Sequence, residues 1–286
     1  MWAVKTTAYL VTISLVLGLL AACVPAGEGT GASTASRPAP TASPTATPTN
    51  TLTPAVSPTA TVTPTPTLTP TPTPTPTPPD WRILAPGVGQ TNVPVPVPDM
   101  DGVTFYAYAL RLDPERVAFR VFYDGEARTV EEWRSLTGAN IVVNGGFFSG
   151  DNRPIGRLVI DGELIGSPLD PEARIGVPGL FTVLDGEPEI YALGRSHYSP
   201  RGLRFDQAIE AYPLLLLPGR QPTYPSHPGV PGTRARRTVI GMDGEGRVVI
   251  VLIDGPILSL TELSRWLAGS NLNLDVALNL DGGRSS

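Results

Sequence analysis

Between Thr61 and Pro78 threonine and proline alternate, broken only by Val62 and Leu68. Each proline fixes φ at about −65° and removes a backbone donor, so this stretch can join neither a helix nor a sheet ladder. It should sample extended polyproline II, about 3.1 Å per residue where stiff. From Val24 to Asp80 the only charged residues are Glu28, Arg37 and Asp80, and nothing in the segment can bury a core. We therefore expect residues 24–80 to be a disordered Thr/Pro-rich tether. The threonines also permit O-glycosylation, but a plain spacer is the simpler reading. The folded part is expected at 81–286, long enough to enclose a core of its own.

Upstream of the tether, Met1 to Lys5 is a short positive region, and Ala8 to Leu20 an apolar one too short for a permanent membrane span. It ends in Leu20-Ala21-Ala22-Cys23, which resembles the bacterial lipobox. The resemblance implies that residues 1–23 are a lipoprotein signal peptide with its lipobox, cut before Cys23, whose thiol takes the lipid. Cys23 is the only cysteine, so no intrachain disulfide braces the domain. The expected location is extracytoplasmic, anchored by lipid to the bacterial cell membrane or envelope.

The formal net charge of -5 argues against a nucleic-acid partner, which needs clustered cations on its phosphates. Along the folded part, Val103 to Leu112 and Val117 to Tyr123 read as strands, and Asp113-Pro114-Glu115 between them as the turn of a hairpin. Thr129 and Glu132 have capping-box spacing before a short helix that should stop near Gly138. Strands follow at 141–143, 157–160, 181–184 and 190–193. Asp243-Gly244-Glu245-Gly246 joins strands 238–242 and 248–253 in a second hairpin. Ser259 and Glu262 cap a second helix, and a last short strand covers 276–279. The sum is an α+β domain, a largely antiparallel or mixed sheet with a few interleaved helices.

Three glycine-containing polar clusters each follow an apolar strand-like run: Asn144-Gly145-Gly146-Phe147-Phe148, Asp254-Gly255 and Asn279-Leu280-Asp281-Gly282-Gly283. Any one of them alone reads as an ordinary strand-end turn. Together they could expose successive backbone N–H groups for an anion, with a carboxylate alongside as acid or base.

These clusters, with Pro154-Ile155-Gly156, Asp161-Gly162, the run 208–219 containing Tyr212-Pro213-Leu214-Leu215, and the segment Arg236-Arg237-Thr238, resemble in order and spacing the phosphodiester glycosidase family. The resemblance runs from about Val103 to Ser286. It implies hydrolysis of a sugar 1-phosphodiester, with a glycan or glycophosphodiester substrate. Asp281 and Asp254 are then the candidate catalytic carboxylates, since glycoside hydrolysis generally uses two about the anomeric carbon. Their separate roles, and retention against inversion, stay open. Asn144, Gly145, Gly146, Arg237, Gly282, Gly283 and Ser285 are the candidate substrate-binding residues, Arg237 through a guanidinium fork suited to phosphate.

The chain departs from the family pattern at Arg284, where a small residue is common. It also stops at Ser286, where members usually continue into another strand, so either a carboxyl-terminal truncation or a domain lacking an edge strand is expected. A non-catalytic glycan-binding or surface-interaction module on the same fold is the alternative. His197 and His227 lack partners at metal-ligand spacing, and Ser149-Gly150-Asp151-Asn152 reads as a polar turn and not a calcium loop. No cofactor is required on these grounds, and a divalent cation is left open. Trp133 and Trp266 fall on the helices, where core packing is expected of them.

Overall fold

The computed structural model describes residues 77–97, 103–169, 176–193, 204–223 and 233–282, together with the backbone of 11–16. In chain order the strands begin with β1 (Val11–Val16), β2 (Arg82–Ala85), β3 (Val88–Val95), β4 (Phe105–Leu112) and β5 (Val117–Phe122). Helix α1 (Val130–Thr137) precedes β6 (Ile141–Asn144), β7 (Phe147–Phe148), β8 (Pro154–Ile155), β9 (Leu158–Ile160) and β10 (Glu163–Ile165). Then come β11 (Gly179–Leu184), β12 (Glu187–Ala192), β13 (Gln207–Ala211), β14 (Leu214–Leu217) and β15 (Gln221–Pro222). The last elements are β16 (Ala235–Asp243), β17 (Val248–Leu258), α2 (Leu260–Gly269) and β18 (Leu274–Asn279).

An eight-stranded antiparallel sheet, ordered β15-β14-β18-β16-β17-β4-β3-β2, is the backbone of the domain. Its central strands are apolar at consecutive positions, as in Val248-Val249-Ile250-Val251, because both faces are covered. On one face Val239, Val249, Val251 and Ile253 pack with Leu263 and Leu267 of α2. On the other, Ile240, Ile250 and Leu278 meet Leu158, Phe181, Val183 and Ile209 of a five-stranded antiparallel sheet, β10-β9-β13-β11-β12, together with Val117, Phe119 and Val121 of β5. The described residues thus form a largely antiparallel structure with two short helices.

Both helices begin on the expected capping boxes, Thr129 with Glu132 and Ser259 with Glu262. Helix α1 stops where Gly138 turns left-handed at φ 69°, a conformation that costs glycine nothing. Trp133 is buried beside Phe122. Trp266 lies against the α2-side core and donates from Nε1 to the Pro94 carbonyl at 3.1 Å. The 243–246 hairpin forms as expected between β16 and β17.

The expected hairpin over 103–123 does not form. β4 pairs with β3 and β17, whereas β5 leaves for another layer. The reason lies in the connection. Asp113 donates its N–H to the Gly87 carbonyl at 2.9 Å, and Val117 returns its N–H to the Asp113 carbonyl at 2.9 Å. This closes a helix-like turn anchored on the β2–β3 connection, which redirects the chain away from the sheet instead of folding it back. β3, unassigned from sequence, supplies the missing neighbour of β4.

β5 and β6 do not pair with each other. β1 lies between them, parallel to both, with Ile13 opposite Phe119 and Ile141, and Val16 opposite Phe122 and Asn144. No helix among the described residues is long and apolar enough to cross a membrane.

Candidate active site

The segment after β6 is drawn onto the end of β18 by a knot of hydrogen bonds. Asn144, buried at the last position of β6, accepts at Oδ1 from the Thr238 hydroxyl at 2.7 Å and donates from Nδ2 to the Asp281 carbonyl. Asp281 donates its N–H to the Gly145 carbonyl at 3.0 Å, and Leu280 donates to the Thr238 carbonyl at 2.9 Å. Gly282 N–H closes back on Asp281 Oδ1 at 2.8 Å. Three segments far apart in sequence therefore fix the main chain at Asp281, just past the end of β18. Both amide groups of Asn144 are engaged, as a buried side chain requires.

Gly146 lets the next layer approach. A Cβ there would stand 3.1 Å from Ile209 Cγ2 and 3.2 Å from the Glu210 carbonyl. Beneath it, the Glu210 side chain is 1 % exposed and pairs with Arg157 at 3.4 Å, while its Oε2 accepts the Arg157 N–H at 3.0 Å and the Leu169 N–H at 3.4 Å. Gly156, at φ 109°, abuts the same residue, with 3.1 Å between an added Cβ and the Glu210 carbonyl. Phe147 pairs with Ile155 across β7 and β8, and its ring lies 4.6 Å from that of Tyr212. Burial pushes the Tyr212 phenol above its usual range, and the nearby Asp281 charge adds to the push. The Tyr212 carbonyl accepts from Asn279 Nδ2 at 3.1 Å, binding the 212–213 segment to the end of β18.

Asn144, Gly145, Gly146, Asp281 and Gly282 thus gather in one place. Asp254 and Arg237 stand at the same end of the sheet, because β17 and β18 both run antiparallel to β16, with Arg237 opposite Ile253 and Val239 opposite Asn279. Strands two apart are separated by roughly 9–10 Å. The Asp254 carboxylate is 90 % exposed and pairs with Arg236 at 3.1 Å, at a bulge where Gly255 takes φ 151°.

Side chains alternate along a strand, so Arg236 shares the face of Thr238 and Arg237 turns toward the other. Arg237 donates to the Thr233 carbonyl at 2.8 Å, its Nε is buried without a hydrogen-bond partner, and burial draws its pKa below the ordinary value. Cys23, Gly283, Arg284, Ser285, His197 and His227 lie outside the described residues. Ser149 to Arg153 forms the polar turn of the β7–β8 hairpin. No group of three or more His, Cys, Asp or Glu among the described residues is placed to hold a metal ion.

Glu210 and Tyr212 were missed as individual site residues. A lone carboxylate in the otherwise uncharged run Gln207-Ala208-Ile209-Glu210-Ala211 was the available signal for Glu210. The proximity of Tyr212 to Asp281 had none.

A family model described as phosphodiester glycosidase matches residues 137–286. No curated protein sequence matches the chain. Among solved structures, the catalytic domain of zebrafish N-acetylglucosamine-1-phosphodiester alpha-N-acetylglucosaminidase, auto-inhibited by its pro-peptide, is similar at a TM-score of 0.51 and 19% identity. That similarity covers 71% of this chain and 73% of that one, and shows a shared fold. A hypothetical protein from Synechocystis gives a TM-score of 0.45 at 14% identity, over 73% of this chain and 58% of that chain. The family match spans more than half of the 286 residues and takes in every residue of the knot: this chain belongs to the phosphodiester glycosidase family.

Proposed function

We propose that the chain hydrolyses a sugar 1-phosphodiester, in exopolysaccharide or cell-envelope glycans, while tethered to the cell surface by lipid on Cys23. The observation that carries the reading is the convergence on Asp281. The segments 144–145, 238 and 279–282, scattered over the domain, meet at the main chain of Asp281, and the Tyr212 phenol lies near enough to feel its charge.

In the reaction the bond from the anomeric carbon to the phosphodiester oxygen breaks, and that oxygen leaves with the electron pair and takes a proton. The oxygen of water becomes the new anomeric hydroxyl, its own proton going to a base. Asp281 is the group proposed to move one of these protons, and Asp254 the second carboxylate. Asn144 and Thr238 fix the backbone that carries Asp281, so their contribution is positioning. Arg237 remains the proposed phosphate ligand, and Arg236, on the face of Thr238, joins it. Either guanidinium can donate two charge-assisted bonds to a phosphoryl group.

The test is release of free sugar from a panel of sugar 1-phosphodiesters by the full chain, with Arg236→Ala and Arg237→Ala as variants. A rise in KM of tenfold or more in one variant identifies the phosphate ligand. No change in either removes both from the substrate. Radiolabelled lipid carried by the wild type and absent from Cys23→Ala tests the anchor.

A further inference from the structure

The Tyr212 ring is fixed from two sides by chain that is itself bonded at Asp281. Tyr212 follows β13 directly. Its carbonyl accepts from Asn279 Nδ2 at 3.1 Å, and the Pro213 carbonyl accepts the Asn279 N–H at 3.0 Å. Asn279 closes β18, two residues before Asp281. On its other side the ring lies 4.6 Å from that of Phe147, tilted by 34°. Phe147 comes two residues after Gly145, whose carbonyl accepts the Asp281 N–H.

The chain carrying Phe147 is braced in turn. β7 pairs with β8, and the tip of that hairpin is tied to the loop after β5, where the Tyr123 hydroxyl donates to the Asn152 carbonyl at 2.9 Å and Asn152 Nδ2 donates to the Gly125 carbonyl at 3.3 Å. Both rings are only partly buried. A tyrosine held in this way is a rigid donor, with little side-chain freedom left to lose when a ligand arrives.

Burial first, and the Asp281 charge second, keep the phenol protonated through neutral pH, and Asp281 acts on it as a charge and not through a hydrogen bond. A neutral O–H donor thus stands near a carboxylate acceptor without being joined to it. A phosphoryl oxygen only accepts, and the carboxylate repels it. A hydroxyl fits both partners, accepting from the phenol and donating to the carboxylate. With Asp281 at work on the anomeric carbon, the sugar hydroxyl within its reach is the one on the adjacent carbon. Bonds to that hydroxyl also tighten as an oxocarbenium-like centre forms.

We propose that Tyr212 is a sugar-recognition residue, whose hydroxyl donates to the sugar hydroxyl next to the anomeric carbon while that hydroxyl donates to Asp281. The chain then selects sugars carrying this hydroxyl over their 2-deoxy counterparts. The assignment rests on the sugar 1-phosphodiester reading of the site and names the part of the substrate that Tyr212 touches.

The experiment is calorimetric binding by the full chain and by its Tyr212→Phe variant. The probes are non-hydrolysable C-glycosyl phosphonate methyl esters of glucose and galactose, with their 2-deoxy counterparts. Phenylalanine keeps the ring and its packing on Phe147 and removes only the oxygen, so thermal unfolding should not change. The wild type should bind a 2-hydroxy probe about tenfold or more tighter than its 2-deoxy counterpart. Tyr212→Phe should lose that preference, weakening on the 2-hydroxy probe while its affinity for the 2-deoxy probe stays within about twofold of wild type, because the two deletions remove the same contact. Equal weakening on both probes, an undiminished preference in Tyr212→Phe, or no binding of any probe by the wild type overturns the proposal. Because the probes are never cleaved, the result is separate from the sugar-release assay. Binding with the expected preference but no release keeps Tyr212 and ends the hydrolase reading, and release without the preference does the reverse.

Discussion

Thr238→Val tests the knot at its most buried point. The side chain is wholly buried, and its hydroxyl donates at 2.7 Å to Asn144 Oδ1. Valine keeps the shape, so packing changes little, but a buried amide oxygen is left without its donor. Such an orphan costs about 1–3 kcal/mol. For a domain of this size each kcal/mol lowers Tm by about 2–4 °C, so a central loss of about 2 kcal/mol becomes about 4–8 °C. Thr238→Ser restores the hydroxyl and should recover most of the loss. In a double-mutant cycle with Asn144→Ala, read by urea unfolding, the coupling should exceed about 0.5 kcal/mol, as for residues sharing a hydrogen bond. Additive losses within that margin, or a Ser variant no better than Val, would refute the hydrogen bond as the link between β6 and β16.

Other consequences follow from the packing. Gly241→Ala places a Cβ 2.8 Å from the Val276 carbonyl and 3.2 Å from the Leu274 methyls; we expect about 1–3 kcal/mol of destabilisation from overpacking, read by chemical denaturation. Glu210→Ala removes the buried carboxylate that pairs with Arg157 and accepts the Arg157 and Leu169 N–H groups, and should cost about 1–3 kcal/mol, where a surface pair would cost under about 1. At Glu262, burial opposes ionisation, but bonds from Arg234 and from the Ser259 backbone and hydroxyl outweigh it and leave the pKa below its ordinary value. The folded state then holds this proton less tightly than the unfolded one. Its stabilisation is present above the unfolded carboxyl pKa of about 4.3 and is lost as pH falls through the lower folded value. Acid titration of thermal stability should show this loss in the wild type and a smaller one in Ser259→Ala, which itself costs about 1 kcal/mol at neutral pH.

Local signals were legible where local chemistry decides the structure. The capping boxes at Thr129 and Ser259, the stop at Gly138 and the hairpin at 243–246 depend on neighbours a few residues apart, and the chain forms them all. The 103–123 hairpin failed because pairing there is settled by Gly87, twenty-six residues before Asp113, and by β3, which lies between β2 and β4. The site shows the same division. Asn144 and Asp281 stood out as polar residues beside glycines at strand ends, and they do meet. The choice between Arg236 and Arg237 depends on which strand face carries Thr238, and that is set by the packing of β16. Glu210 was hidden because its partners, Arg157 and Leu169, come from loops forty or more residues away.

Asp281 is the carboxylate proposed to move a proton in phosphodiester hydrolysis. The most direct measurement is free-sugar release from sugar 1-phosphodiesters by the full chain and by Asp281→Asn, with exchange of the β16 and β17 amides confirming that both are folded. We expect turnover by the wild type and a loss of at least a hundredfold in kcat for the variant, with the fold intact. Equal turnover by both, or none by a folded wild type that still binds the glycan, would contradict it.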